Sequence, residues 1–203
     1  SHVWFGTILG DDNEAIKTRD GEPIKLIDLL NEAIDRAKNM VLEKNPTLDE
    51  PEALRRAEII GLGAVRYADL SQDRTLDYVF SWEKMLAMQG NTAPYLQYAV
   101  ARIYSIFRKV EVQPDETLST TYMPTTDSEK KLSRKLLFFP GVLKQTAKEL
   151  KPHFLGGYLY ELSTEFSSFY NQSKVMVEDK EIKTLRLLLC ARTLSILEIG
   201  LNI

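Results

Sequence analysis

From Leu26 onward apolar residues return at helical spacing, and almost nothing alternates as a strand would. Leu26, Ile27, Leu29, Leu30, Ala33, Ile34, Ala37, Met40 and Val41 predict a first helix. Asp49 with Glu52 has capping-box spacing and Pro51 suits a first turn, so a second helix starts there. Its apolar line runs through Leu54, Ala57, Ile60, Ala64, Val65 and Ala68. Gly61 falls on that line. An interior helical glycine costs about 1 kcal/mol relative to alanine, which implies close packing at that turn. Ser81 and the residues from Lys84 to Met88 read as a brief helix. Thr92 then caps a long one through Tyr95, Tyr98, Ala99, Arg102, Ile103, Ile106 and Phe107. Val112 to Thr125 has no period and reads as a loop. Thr126 and Glu129 open another helix as a capping box, with Pro140-Gly141 as its stop. A helix holding Leu143, Ala147 and Leu150 comes next, then one opened by Pro152 and carrying Leu155, Leu159, Leu162, Phe166, Phe169 and Tyr170, and a last from about Glu181 to Gly200. Strand signal is confined to a hairpin-like piece over His2–Leu9, and Tyr78–Phe80 reads only as a short extended run. The expected fold is mainly α, a small α/β remnant leading into a helical bundle.

Composition closes off several kinds of chemistry. The chain has one cysteine and two histidines, His2 and His153. A zinc site, or a triad relying on histidine, therefore has almost no parts. Cys190 sits among leucines and reads as a core residue, and with no second cysteine an internal disulfide is excluded, which fits a reducing compartment. Net charge is −3, so nucleic acid would have to be met by a local basic face and not by bulk charge. The most apolar stretch, Leu185 to Ile203, is interrupted by Arg186, Arg192 and Glu198 and is a core helix, not a membrane span. Ser1 stands where an initiator methionine would, and a strand signal begins at once, as expected of a piece of a longer protein.

Three basic or aromatic clusters are candidates for binding. Ala15-Ile16-Lys17-Thr18-Arg19-Asp20-Gly21 places two cations and a hydroxyl in a turn after the first strand, where they could hold phosphate oxygens; on spacing alone it reads first as a solvated turn. Tyr95, Tyr98 and Arg102 share one helical face, a surface for unstacked bases and a phosphate, or else a packed face with a surface ion pair. Lys130, Lys131, Arg134 and Lys135, with Arg108 and Lys109 elsewhere, could track a phosphate backbone or form a solvated helix face. The aromatic stripe from Tyr160 to Tyr170 reads as core. No metal site is expected.

Several long segments, taken in order, carry more than any one of them. Gly61-Leu62-Gly63-Ala64-Val65-Arg66-Tyr67-Ala68-Asp69-Leu70-Ser71 continues into Gln72-Asp73-Arg74. Asp77-Tyr78-Val79-Phe80-Ser81 and Lys84-Met85-Leu86 precede Gly90-Asn91-Thr92-Ala93-Pro94-Tyr95-Leu96-Gln97-Tyr98-Ala99. With His2-Val3-Trp4-Phe5-Gly6, Lys17-Thr18-Arg19 and Tyr158-Leu159-Tyr160-Glu161-Leu162, they resemble the arginyl-tRNA synthetase family over nearly the whole chain.

That resemblance implies a class I enzyme with a Rossmann-type catalytic domain and a C-terminal helical anticodon-binding domain. It implies a reaction in which arginine and ATP, with Mg2+, give arginyl-adenylate, and arginine then passes to its tRNA. On it, residues 1–90 are the end of the catalytic domain, including helices facing the acceptor arm, and residues 91–203 the anticodon-binding domain. Lys17 and Arg19 correspond to the mobile loop over the ATP phosphates, in a form lacking the second lysine of Lys-Met-Ser-Lys-Ser. Tyr95, Tyr98 and Arg102 correspond to the helix that meets the anticodon loop. No His-x-Gly-His segment is present, so the chain is expected to be a C-terminal portion that recognises arginine tRNA, binds no cofactor by itself and does not activate arginine alone. The parent is expected to be a cytoplasmic monomer. Two alternatives are a free-standing, non-catalytic tRNA-binding paralogue and a helical scaffold for protein partners.

Overall fold

Small side chains spaced three and four residues apart bring the first two helices together. The computed structural model describes residues 3–10, 25–114 and 118–202. It forms two compact units, one of Ser1–Tyr95 with Lys151–His153, the other of Leu96–Leu150 with Phe154–Ile203. In the first unit, α1 (Leu26–Lys44) buries Ala33, Ala37 and Val41, and α2 (Glu50–Leu70) buries Ala53, Ala57, Gly61, Ala64 and Tyr67. A Cβ on Gly61 would lie 2.6 Å from the carbonyl oxygen of Ala33, so the close packing inferred at this glycine is α1 itself. The buried line of α2 is rotated from the expected one: Leu54 is 42% exposed. Contact this close admits alanine and glycine, and the bulkier residues turn aside.

Half of the expected capping box at α2 forms. The Asp49 carboxylate accepts the Glu52 amide at 2.9 Å. The Glu52 carboxylate does not reach back; it accepts from Arg55 (2.7 and 2.8 Å) and Arg56 (2.7 Å), whose guanidinium groups hold its pKa down to about 2.

The strand signal is real but is not a hairpin. β1 (Ile8–Leu9) pairs in parallel with β2 (Tyr78–Val79), Ile8 opposite Tyr78 and Leu9 opposite Val79. Gly6 prepares this register: its amide donates to the Arg74 carbonyl at 2.7 Å, and a Cβ there would run into the Leu76 carbonyl oxygen. Asp77 Oδ1 accepts the Thr7 amide at 2.6 Å. Asp73 accepts from Thr75 (2.8 and 3.1 Å) and from Lys151 Nζ (2.8 Å), which ties Lys151–His153 into this unit. A short α3 (Trp82–Met85) is capped by the Ser81 hydroxyl, and Thr92 Oγ1 accepts the Tyr95 amide at 3.3 Å to start α4 (Ala93–Val110).

The second unit holds the rest of α4 with α5 (Asp127–Leu137), α6 (Phe139–Glu149), α7 (His153–Gln172) and α8 (Lys180–Asn202). Its core contains Leu96, Ile103, Phe107, Leu132, Leu159, Leu162, Phe166, Phe169 and Leu197, all buried. Cys190 lies among them fully buried, which pushes its thiol pKa up to about 12. The capping box at Thr126–Glu129 is complete. Pro140-Gly141 does not stop α5 but occupies the first turn of α6, where a proline lacks nothing the helix needs. The break falls at Phe138, and Leu150, with φ +53°, ends α6 in the left-handed conformation.

Candidate nucleic-acid interface

One face of α4 is apolar and buried: Leu96, Ala99, Ile103, Ile106 and Phe107. Tyr98, Arg102, Ser105 and Lys109 fall on another face at intervals of four, three and four, and line a cleft of about 550 Å³ in the second unit. Its far side is built from Tyr170, near the C-terminal end of α7, and from Lys174, Val175 and Met176 just beyond that helix. That volume sits within the roughly 300–1,000 Å³ of small-ligand sites.

Arg102 is the centre of the cleft. Its guanidinium carbon lies 4.6 Å from the ring centroid of Tyr98 and 5.0 Å from that of Tyr170. One of its terminal nitrogens donates to the Tyr98 hydroxyl at 2.9 Å. A cation near two π-faces is held by their quadrupoles while keeping N–H donors for other acceptors. Tyr98 remains 46% exposed. Tyr170 leans on the core through Phe166, ring centroids 6.2 Å apart. The lining contains three cations (Arg102, Lys109 and Lys174), two phenols and no carboxylate. Such a surface can stack a planar base and neutralise phosphates within one site.

The structure thus brings together Tyr98 and Arg102 of the sequence-expected trio. Tyr95 is half-buried near the helix start and does not line the cleft. Lys17 and Arg19 lie outside the described residues. Lys130, Lys131 and Arg134 are exposed on α5, whereas Lys135 pairs with Glu161 and stands 5.1 Å over the Tyr158 ring. Tyr170, Lys174 and Met176 went unread in the sequence: the first sits in a stripe that reads as core, and the other two come after a helix end where no period assigns a face.

The first unit has its own cavity, about 640 Å³, lined in part by Phe5, Thr7, Asp69, Arg74 and Tyr78. Burial, with Asp69 nearby, pushes the Tyr78 hydroxyl up to about 12. Arg74 Nε and Nη1 are buried without a hydrogen-bond partner. Among the described residues no cluster of three His, Cys, Asp or Glu could hold a metal ion, and no helix is long and apolar enough to cross a membrane.

The family model described as the DALR anticodon binding domain matches residues 96–203. The chain belongs to this family. Residues 1–82 match the model for the catalytic domain of class I tRNA synthetases (R). An arginine–tRNA ligase of Cellvibrio japonicus is 49% identical over 199 residues, 96% of this chain and 34% of the relative. One from Escherichia fergusonii is 45% identical over 202 residues, 99% of this chain and 35% of the relative. The arginyl-tRNA synthetase structure from Plasmodium falciparum superposes with a TM-score of 0.80 at 34% identity, covering 99% of this chain and 33% of that one. That from Thermus thermophilus gives 0.82 at 29% identity, covering 98% and 34%. The chain therefore spans about a third of the length of its relatives, and the arginyl-tRNA synthetase resemblance and mainly α fold expected from sequence are borne out. The cleft lies wholly within the DALR segment.

Proposed function

We propose that this chain is the tRNA-recognising portion of an arginine–tRNA ligase and that the DALR cleft grips the anticodon loop of arginine tRNA. The observation that carries this reading is the carboxylate-free lining, with two phenols and three cations inside the anticodon-binding segment. Tyr98 and Tyr170 would stack on splayed bases. Arg102 would leave its place between them for a phosphate or base edge, and Lys109 and Lys174 would track the backbone. Tyr95, one turn earlier, is proposed to flank the same loop. On this reading residues 1–90 are the end of the catalytic domain and 91–203 the anticodon-binding domain, in a cytoplasmic monomer.

In the complete enzyme the arginine carboxylate would attack the α-phosphorus of ATP with loss of pyrophosphate. The terminal ribose hydroxyl of the tRNA would then take the arginyl group and release AMP. Lys17 and Arg19 are proposed to neutralise the leaving phosphates. Mg2+ would enter with the nucleotide. The chain by itself is proposed to bind tRNA without activating arginine.

Titration of the chain with arginine tRNA between 50 and 200 mM salt tests the cleft. Stacking contributes roughly 1–3 kcal/mol per base, so Tyr98→Ala should weaken binding by about 5- to 150-fold with the helical signal intact. Lys174→Ala should flatten the log–log salt slope by about 0.7. Unchanged affinity in Tyr98→Ala would remove the cleft from the interface. For the loop, Lys17→Ala in the complete enzyme should slow pyrophosphate–ATP exchange by about 100-fold while sparing tRNA affinity, in line with loss of one transition-state donor; a normal exchange rate would discharge Lys17 from that role.

A further inference from the structure

One wall of the cleft is not a regular element. Lys174–Met176 lies in irregular backbone between α7 and α8, yet supplies a cation and an exposed thioether to the site. Irregular segments open most easily, and their backbone groups need partners. Two anchors meet this wall, and both lead to the first turn of α5. The Ser128 and Ser173 hydroxyls, both buried, are 3.1 Å apart. Arg186 on α8 makes the other: Nε donates to Glu129 Oε1 at 2.8 Å, and Nη1 donates to the Lys174 carbonyl at 2.6 Å.

The Glu129 end of this bridge is itself fixed. Its Oε2 accepts the amides of Thr125 at 2.9 Å and Thr126 at 3.0 Å, the reciprocal half of the capping box. Its side chain is 1% exposed and that of Arg186 12%. Neither residue lines the cleft. A guanidinium is a rigid planar fork, so holding Nε on a locked carboxylate fixes where Nη1 must point. A lysine, with one nitrogen on a flexible stem, can keep the ion pair but does not impose that second direction.

We infer that Arg186 is a positioning residue for the cleft, holding the Lys174–Met176 wall at the spacing from Tyr98 and Arg102 at which a base and its phosphate are met together. This rests on the nucleic-acid reading of the cleft. Were Arg186 only a tie between α5 and α8, a cation that preserved the Glu129 pair would serve as well.

Arg186→Lys in the 203-residue chain separates the two. Trypsin cleavage after Lys174 under native conditions is expected to quicken at least 10-fold, with the amide hydrogen exchange around Leu132 and Leu194 unchanged. Arginine tRNA affinity is expected to fall about 10-fold, with the salt slope shallower by about 0.7 as Lys174 leaves its place. Should the lysine variant unfold, the double substitution Glu129→Gln with Arg186→Met removes the same bond without leaving a buried charge, and the same local loosening is expected. Unchanged cleavage after Lys174, or a loosened wall that binds tRNA like the parent, overturns the positioning role. A wall that loosens in a chain that ignores tRNA altogether overturns the nucleic-acid reading instead.

Discussion

Gly61→Ala should destabilise the first unit by up to about 2 kcal/mol net, even though it improves helix propensity. The new methyl would lie 2.6 Å from the Ala33 oxygen, 2.7 Å from the Ala33 carbonyl carbon and 2.9 Å from the Ile34 nitrogen. All three are backbone atoms of α1, so no side chain can swing aside. Relief requires α1 and α2 to separate, which loosens Ala33 and Ala37 from Ala57 and Ala64 together. The propensity gain of about 1 kcal/mol is smaller than overpacking against backbone. Gly157, in the second unit, is the contrast: it is also inside a helix, but its added Cβ would have no neighbour within 4 Å, so Gly157→Ala should be neutral or stabilising when that unit's opening is read by the reactivity of Cys190. Both tryptophans belong to the first unit, and Trp82 sits 5.2 Å from the Arg36 guanidinium of α1. Tryptophan fluorescence during urea unfolding therefore reads the α1–α2 pair. An unshifted midpoint in Gly61→Ala would mean the two helices do not pack this closely.

The same glycine shows what a sequence can disclose here. A glycine on an apolar helical line announces close packing, but not which neighbour approaches or how far the line is turned. Hydropathy puts Leu54 inside, yet it is outside, because the α1 backbone leaves room only for Ala53 and Ala57. Caps are legible because they are local: Asp49, Thr92 and Thr126 each act within three residues. The pairing of β1 with β2 is not, since two residues at each end of a 70-residue separation leave no pattern. At the cleft the same division holds. Tyr98 and Arg102 are four apart on one helix, so their meeting can be read from spacing. Tyr170 comes directly after Phe169, which is fully buried; one residue of helix rotation, about 100°, separates core from cleft, and composition does not resolve it.

Acid should open the second unit through Glu129. Burial pushes its carboxyl up, but the Thr126 amide, the Arg186 guanidinium and the Thr125 amide outweigh that and hold it from the usual 4.5 down to about 2. Because the folded value is the lower one, the unfolded chain binds the proton more readily between these limits. The contribution is complete above about pH 5 and fades as pH falls toward 2, a loss of about 3 kcal/mol. Glu129→Gln should remove this pH dependence and lose stability already at pH 7, by about 3–5 kcal/mol, since the Arg186 charge stays buried without its counter-ion. Asp73 and Glu52 are also held low by cationic partners, but both lie in the first unit. A readout confined to the second unit is needed, and the chain carries one. Cys190 is its single cysteine, buried on α8, and its thiol can react only when that unit opens. Labelling with a disulfide reagent that works in acid, across a urea series from pH 7 to pH 3, should show the parent chain losing protection below pH 5 while Glu129→Gln stays flat and low throughout. Equal slopes for the two proteins would mean that Glu129 is not the group whose ionisation holds α5, α8 and the cleft wall together.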